Sequence, residues 1–205
     1  MMRTMTSGFR KRLIGIVTVA ALWSAAPSSG ADFNSWDKRL RIAFAGYTPP
    51  GDASALTNFP ALVILGETLG GFQYADLLPD AGDLRFSDES GTVELPHEVE
   101  NWNTNGLSHV WVQVPVLAGT DTVVWAYWGK PDAVAPDYRT NGAVWADGFG
   151  LVQHMALSNG TAVADSAPSN RACTIYNAYS YRTNGAIGQA LGLGTTRTSG
   201  IQANS

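Results

Sequence analysis

Glu98 and Glu100 stand two residues apart, and Trp102 follows two further on. In an extended strand such positions share a face, so the carboxylates would project together roughly 7 Å apart with the indole continuing the row. Two carboxylates beside an aromatic ring are the raw material of a sugar platform or a glycosidase. A glycosidase pair must flank its bond from two sides, which neighbours on one strand cannot do. Glu98, Glu100 and Trp102 are therefore candidate ligand-binding residues, weighed against a solvated strand face with one aromatic. No catalytic residue is expected.

Asp83 and Arg85 show the same spacing. Arg grips a carboxylate or backbone carbonyls with a rigid fork of donors. A structural ion pair or a loop-anchoring hydrogen bond is the expected role, with ligand binding the lesser alternative. Of Trp111, Trp125 and Trp128, most should be core, since aromatics dominate sandwich interiors, and an exposed one could stack on a sugar ring. His97, His109 and His154 have no partner at metal-ligand spacing, and each reads as an ordinary strand residue. No metal site and no cofactor are expected. The acidic turns Asp88-Glu89-Ser90-Gly91 and Asp80-Ala81-Gly82-Asp83 could offer calcium its oxygen ligands, but hairpin turns favour the same residues for backbone reasons. Neither a Gly-x-Ser-x-Gly elbow nor a Gly-rich phosphate loop occurs, so a non-enzyme is expected.

The elements that must position these residues read as short strands. Leu40, Ile42 and Phe44 alternate with Arg39, Arg41 and Ala43. Pro60 to Leu65 is a continuous apolar run, the pattern of a strand buried on both sides. Val93, Leu95 and Val99 alternate with glutamates, and Val110, Val112 and Val114 alternate with Trp111 and Gln113. Val123 to Trp128 alternates as well. No apolar pattern of helical period lasts three turns, so helix is expected only in the signal peptide and as a single turn at Asp76-Leu77-Leu78. Strands recurring every ten to twenty residues between turn signals imply an all-β, antiparallel β-sandwich, jelly-roll-like in character. The hexapeptide Tyr-Arg-Thr-Asn-Gly-Ala occurs at Tyr138–Ala143 and Tyr181–Ala186, and reads as reused turn chemistry.

The N-terminus reads as an export signal. Arg3, Arg10, Lys11 and Arg12 precede the apolar run Leu13–Trp23, and Ser29-Gly30-Ala31 supplies small residues for cleavage before Asp32. The run is shorter than the roughly 18–20 residues of a membrane span, and no later stretch is apolar enough to cross. Cleavage removes four of the 13 basic residues and none of the 17 acidic ones, leaving a net charge of −8. Such a surface argues against nucleic acid or anionic lipid as a partner. Cys173 is the single cysteine, so the fold must rest on its core and not on a disulfide.

Three units follow: a signal peptide over 1–31, a β-sandwich domain over 32–150, and a segment over 151–205. The last is rich in Gly, Ala, Ser, Thr and Asn, and all six tryptophans beyond the signal precede it. It is expected to be a fragment or a loosely ordered extension.

Several stations together resemble a bacterial family, domain-of-unknown-function family 2341. They are Trp36 with Arg39, Arg41 and Ile42; Asn58 to Val63; Asp83 to Asp88, including Asp83, Arg85 and Phe86; His97 to Glu100 with Trp102; Val110-Trp111-Val112; and Tyr127-Trp128-Gly129. The resemblance covers about residues 33–150. In that family a concanavalin A-like lectin/glucanase module commonly follows, and Gln153-His154-Met155, Asp165-Ser166 and Gly185 to Leu191 resemble its start, with Gln153 where Trp is usual. The resemblance implies an extracytoplasmic bacterial surface or secreted protein that recognises glycan without catalysis, with extracellular polysaccharide or another surface protein as partner. The alternatives are a structural or adhesive spacer and, behind it, a fragment of a glucanase-type hydrolase.

Overall fold

The computed structural model describes residues 31–49, 51, 55–155, 160–171, 173–177, 179–182, 185–193 and 199–203. All of the expected signal peptide except Ala31 falls outside them, as do two residues of the second hexapeptide copy, 183 and 184.

The chain is all-β. One three-stranded sheet is formed by β1 (Lys38–Ala43), β6 (Val123–Trp128) and β3 (Arg85–Ser87), in the order β1-β6-β3. A second is formed by β2 (Leu56–Leu65), β5 (Ser108–Leu117) and β4 (His97–Asn101), in the order β2-β5-β4. Every pairing is antiparallel. Apart from the β4–β5 hairpin, successive strands cross from one sheet to the other, which is the strand order of a short jelly roll. The expected sandwich is therefore the observed one.

Period-two alternation fills the space between the sheets. β5 sends Val110, Val112 and Val114 inward, and β6 sends Val124, Ala126 and Trp128 to meet them. Phe72 crosses the Trp128 ring edge to face at 5.3 Å. On the other face of β6, Tyr127 is stacked by Phe33 at 4.3 Å, so this strand is covered on both sides.

β2 departs from expectation. Its apolar run is buried on one side only: Ala61, Val63 and Leu65 face the core, whereas Ile64 is 48% exposed. The reason is its place at the edge of a two-layer sandwich. Pro60 fits an edge strand, where its missing N–H costs no ladder bond. The expected helical turn at Asp76-Leu77-Leu78 is also displaced. Single 3-10 turns cover Tyr74–Asp76 and Pro79–Ala81, and Leu77 and Leu78 between them are extended. Pro79 imposes that on Leu78, because a residue preceding proline is pushed out of the helical region.

Beyond Gly150 the chain builds further antiparallel structure. β7 (Ala162–Val163), β8 (Cys173–Tyr176) and β11 (Gly200–Ala203) form a sheet in the order β11-β8-β7. β9 (Tyr179–Arg182) and β10 (Ala190–Leu193) form a separate pair. Val163, Cys173 and Ile175 make a small core packed by Met155, Leu191 and Ile201. Between the two parts, Val144, Trp145 and Ala167 cover Trp111 on the outer face of the β2-β5-β4 sheet. A partial third layer therefore lies over that sheet, and the site below sits beneath it.

Candidate functional site

β4 turns His97 and Val99 toward the core and Glu98 and Glu100 to the outer face. That outer face is roofed. Glu98 Oε2 accepts the Trp145 indole N–H at 2.6 Å, and Glu98 Oε1 accepts the Ser166 hydroxyl at 2.8 Å. Glu100 Oε2 accepts the Trp111 indole N–H at 3.0 Å. The His154 imidazole lies between the carboxylates. Its Nδ1 pairs with Glu100, and its Nε2 stands 3.3 Å from Glu98 Oε1 at ion-pair distance without hydrogen-bond alignment. The Glu100 side chain is only 4% exposed.

The electrostatics follow from this enclosure. Burial disfavours the charged imidazolium, but the bonds and charges of Glu100 and Glu98 overcome it and raise the His154 pKa to about 9. Burial likewise works against an ionised Glu98, yet His154, Trp145 and Ser166 together hold its pKa below the usual value. At neutral pH the cluster is a carboxylate–imidazolium–carboxylate clamp. A cavity of about 150 Å³ adjoins it, lined by Met155, Ala164 and Ser166 besides the clamp residues.

This geometry limits the chemistry. Both nitrogens of His154 face carboxylates, so neither offers a lone pair to a substrate proton. The Ser166 hydroxyl donates to Glu98 and not to His154, so no serine–histidine relay is assembled. The two carboxylates point the same way from one strand.

Trp102 does not continue the row. The β4–β5 register is irregular between Val99 and Asn101, the strand ends there, and Trp102 packs edge-on against Tyr74 at 5.2 Å beside the main core. The expected trio is thus a pair, already engaged by the same chain.

Asp83 and Arg85 do not pair with each other. Asp83 is buried and accepts from the backbone N–H groups of Leu78 (2.8 Å), Gly129 (2.7 Å) and Lys130 (3.1 Å). It fixes the chain leaving β6 against the turn before β3. Arg85 is also buried, bonds the carbonyls of Gly82, Leu84 and Val134, and meets Glu94 at 3.3 Å. Asp83 lies in the turn before β3, outside the strand, so the two-residue spacing does not put it on the outer face with Arg85. Phe86 and Trp128 are core residues, Trp111 belongs to the clamp, and the Trp125 indole N–H donates to the Glu89 carbonyl at 3.2 Å.

One carboxylate in each acidic turn is already engaged. Asp88 accepts from Ser90 and from the backbone of Thr92 and Val93, and Asp83 is spent as above. Among the described residues no group of three or more His, Cys, Asp and Glu is placed to hold a metal ion.

Sequence spacing missed His154, Trp145 and Ser166 as clamp residues. They lie 47 to 68 positions from Glu98 and share no local pattern with it. The signal that could have found them was the pair of stations at His154 and Asp165-Ser166. Asp165 supports the same junction, accepting from the backbone of Val152, Ala167 and Arg171 and from the Ser169 hydroxyl. Against the cost of burial, these donors depress its pKa to about 2.

Residues 80–150 match the family model described as Domain of unknown function (DUF2341). No curated protein and no solved structure matches the chain. The matched stretch runs from β3 through β6 to Gly150 and holds Glu98, Glu100, Trp111 and Trp145, while His154 and Ser166 lie beyond it. The likeness to this domain-of-unknown-function family, DUF2341, is carried by residues 80–150.

Proposed function

We propose that the chain is an exported, non-catalytic β-sandwich module of a bacterial surface or secreted protein, and that it serves as a structural carrier for the segment that follows it. The observation that supports this best is the clamp. The two carboxylates that looked free for a ligand hold His154 and Ser166, which belong to that following segment. The N-terminal export pattern and the acidic composition support an extracytoplasmic location. Limited proteolysis of the full chain tests the reading. The segment beyond Gly150 should resist cleavage in the wild type and be released first in the His154→Gln variant. Equal release from both would remove the reading.

Recognition of extracellular polysaccharide is a second reading, moved away from Glu98, Glu100 and Trp102. A cleft of about 490 Å³ beside the half-buried Trp36 favours it, a volume within the range of ligand pockets.

A further inference from the structure

The outer face of the β1-β6-β3 sheet carries a different set of side chains from the clamp. Arg39 and Arg41 are exposed on β1 and share this face, opposite Tyr127 and Trp125 of β6. The Arg39 guanidinium lies 4.9 Å from the centre of the Trp125 ring. Stacking of this kind holds the planar fork in place while leaving its edge to solvent.

Other cations nearby are engaged. Lys38 meets Asp76, Lys130 meets Asp132, and Arg85 meets Glu94 and three carbonyls. Arg39, with five N–H donors, makes no hydrogen bond or ion pair to any described residue. It lines the 490 Å³ cleft, in which Phe33 and Tyr127 are buried against each other, Trp36 is half-buried, and the rim carries Asn34, Ser90 and Thr92. Asp32 and Asp37 also line this cleft.

We propose that this cleft binds an acidic sugar of the uronic acid class, its carboxylate held by Arg39, its hydroxyls by Asp32, Asp37 and the rim, and its ring beside the half-buried Trp36. The inference rests on the recognition reading and is independent of the clamp. One guanidinium suits one carboxylate in a bidentate grip. Two aspartates in the same cleft can accept from sugar hydroxyls.

The probe is polygalacturonate, with its fully methyl-esterified form as the uncharged counterpart on the same backbone. Affinity electrophoresis and titration calorimetry use the full chain. The wild type should bind the acid polymer and not the ester. Arg39→Gln should weaken binding about tenfold, the worth of a charge-assisted contact, with an unchanged thermal midpoint because Arg39 is exposed. Arg39→Lys should recover part of the loss, and Arg41→Gln, outside the cleft lining, should cause little loss. Equal binding of acid and ester, or unchanged affinity in Arg39→Gln, overturns the role of Arg39 and leaves recognition standing. Equal competition by single-stranded DNA marks a general polyanion surface and overturns the sugar assignment. Binding of neither polymer by the folded wild type overturns the site altogether.

Discussion

The indole N–H of Trp145 donates to Glu98 Oε2 at 2.6 Å across 47 positions of sequence. That bond joins the sandwich to the layer lying over its outer face, and His154 adds the charge that makes the junction electrostatic. A neutral solvent-facing strand would need none of these partners.

Removing the imidazole should be costly. His154→Ala leaves two enclosed carboxylates side by side, each with its indole donor but without a counter-charge. A loss of about 2–3 kcal/mol is expected by urea unfolding, below the roughly 3–5 kcal/mol of a fully buried broken pair, because Glu98 and His154 keep some solvent contact. His154→Gln should lose less, since the amide still donates.

The clamp should also give the protein a pH window. The His154 pKa rises from 6.5 to about 9 on folding, so its contribution is complete below about 6.5 and is lost as pH climbs through about 9. The Glu98 pKa falls on folding from 4.5, so its contribution is complete above about 4.5 and is lost as pH drops through the lowered value. Buried His97, held well below 6.5 by burial and by Arg139 and Arg85, loses its contribution as pH drops below about 6.5, so thermal midpoints should peak near pH 6.5, with the alkaline decline weaker in His154→Gln and the acid decline weaker in Glu98→Gln. A wild-type alkaline limb that matches His154→Gln would contradict the paired imidazolium.

Much of the fold is legible in the sequence, because period-two alternation follows from the pleat alone. Val110, Val112 and Val114 and the run Val123–Trp128 mark their strands and their inward faces without tertiary information. Pro60 to Leu65 misleads because a continuous apolar run states what a strand can bury, not how many layers cover it. Glu98 and Glu100 share a face by the same arithmetic. What meets that face does not follow from spacing, since Trp145, His154 and Ser166 arrive through the packing of a third layer. Trp102 breaks the row because one register irregularity resets which way the next side chains point.

Asp83 should behave as a structural anchor. Asp83→Ala orphans three backbone N–H groups around the β6 exit. A loss of about 2 kcal/mol is expected from the charge-assisted bonds removed, read as a lower urea midpoint. Asp83→Asn keeps the shape and part of the bonding, and should fall between the alanine variant and the wild type.

Gly142 should tolerate no side chain. Its φ is +82°, and a Cβ there would come within 2.7–2.9 Å of the backbone of Ser166, Ala167 and Pro168. Gly142→Ala should cost about 2 kcal/mol through strain and overpacking. The cost should appear as faster amide exchange around Asp165–Ala167, while exchange at the core positions of β5 stays unchanged.

The most direct test of the carrier account is a double-mutant cycle on Glu98→Gln and His154→Gln, read by urea unfolding of the full chain. The clamp predicts a coupling energy of about 1 kcal/mol or more between the two positions. Single-variant losses that add to within about 0.4 kcal/mol would show that Glu98 and His154 stand near each other without holding the segment to the sandwich.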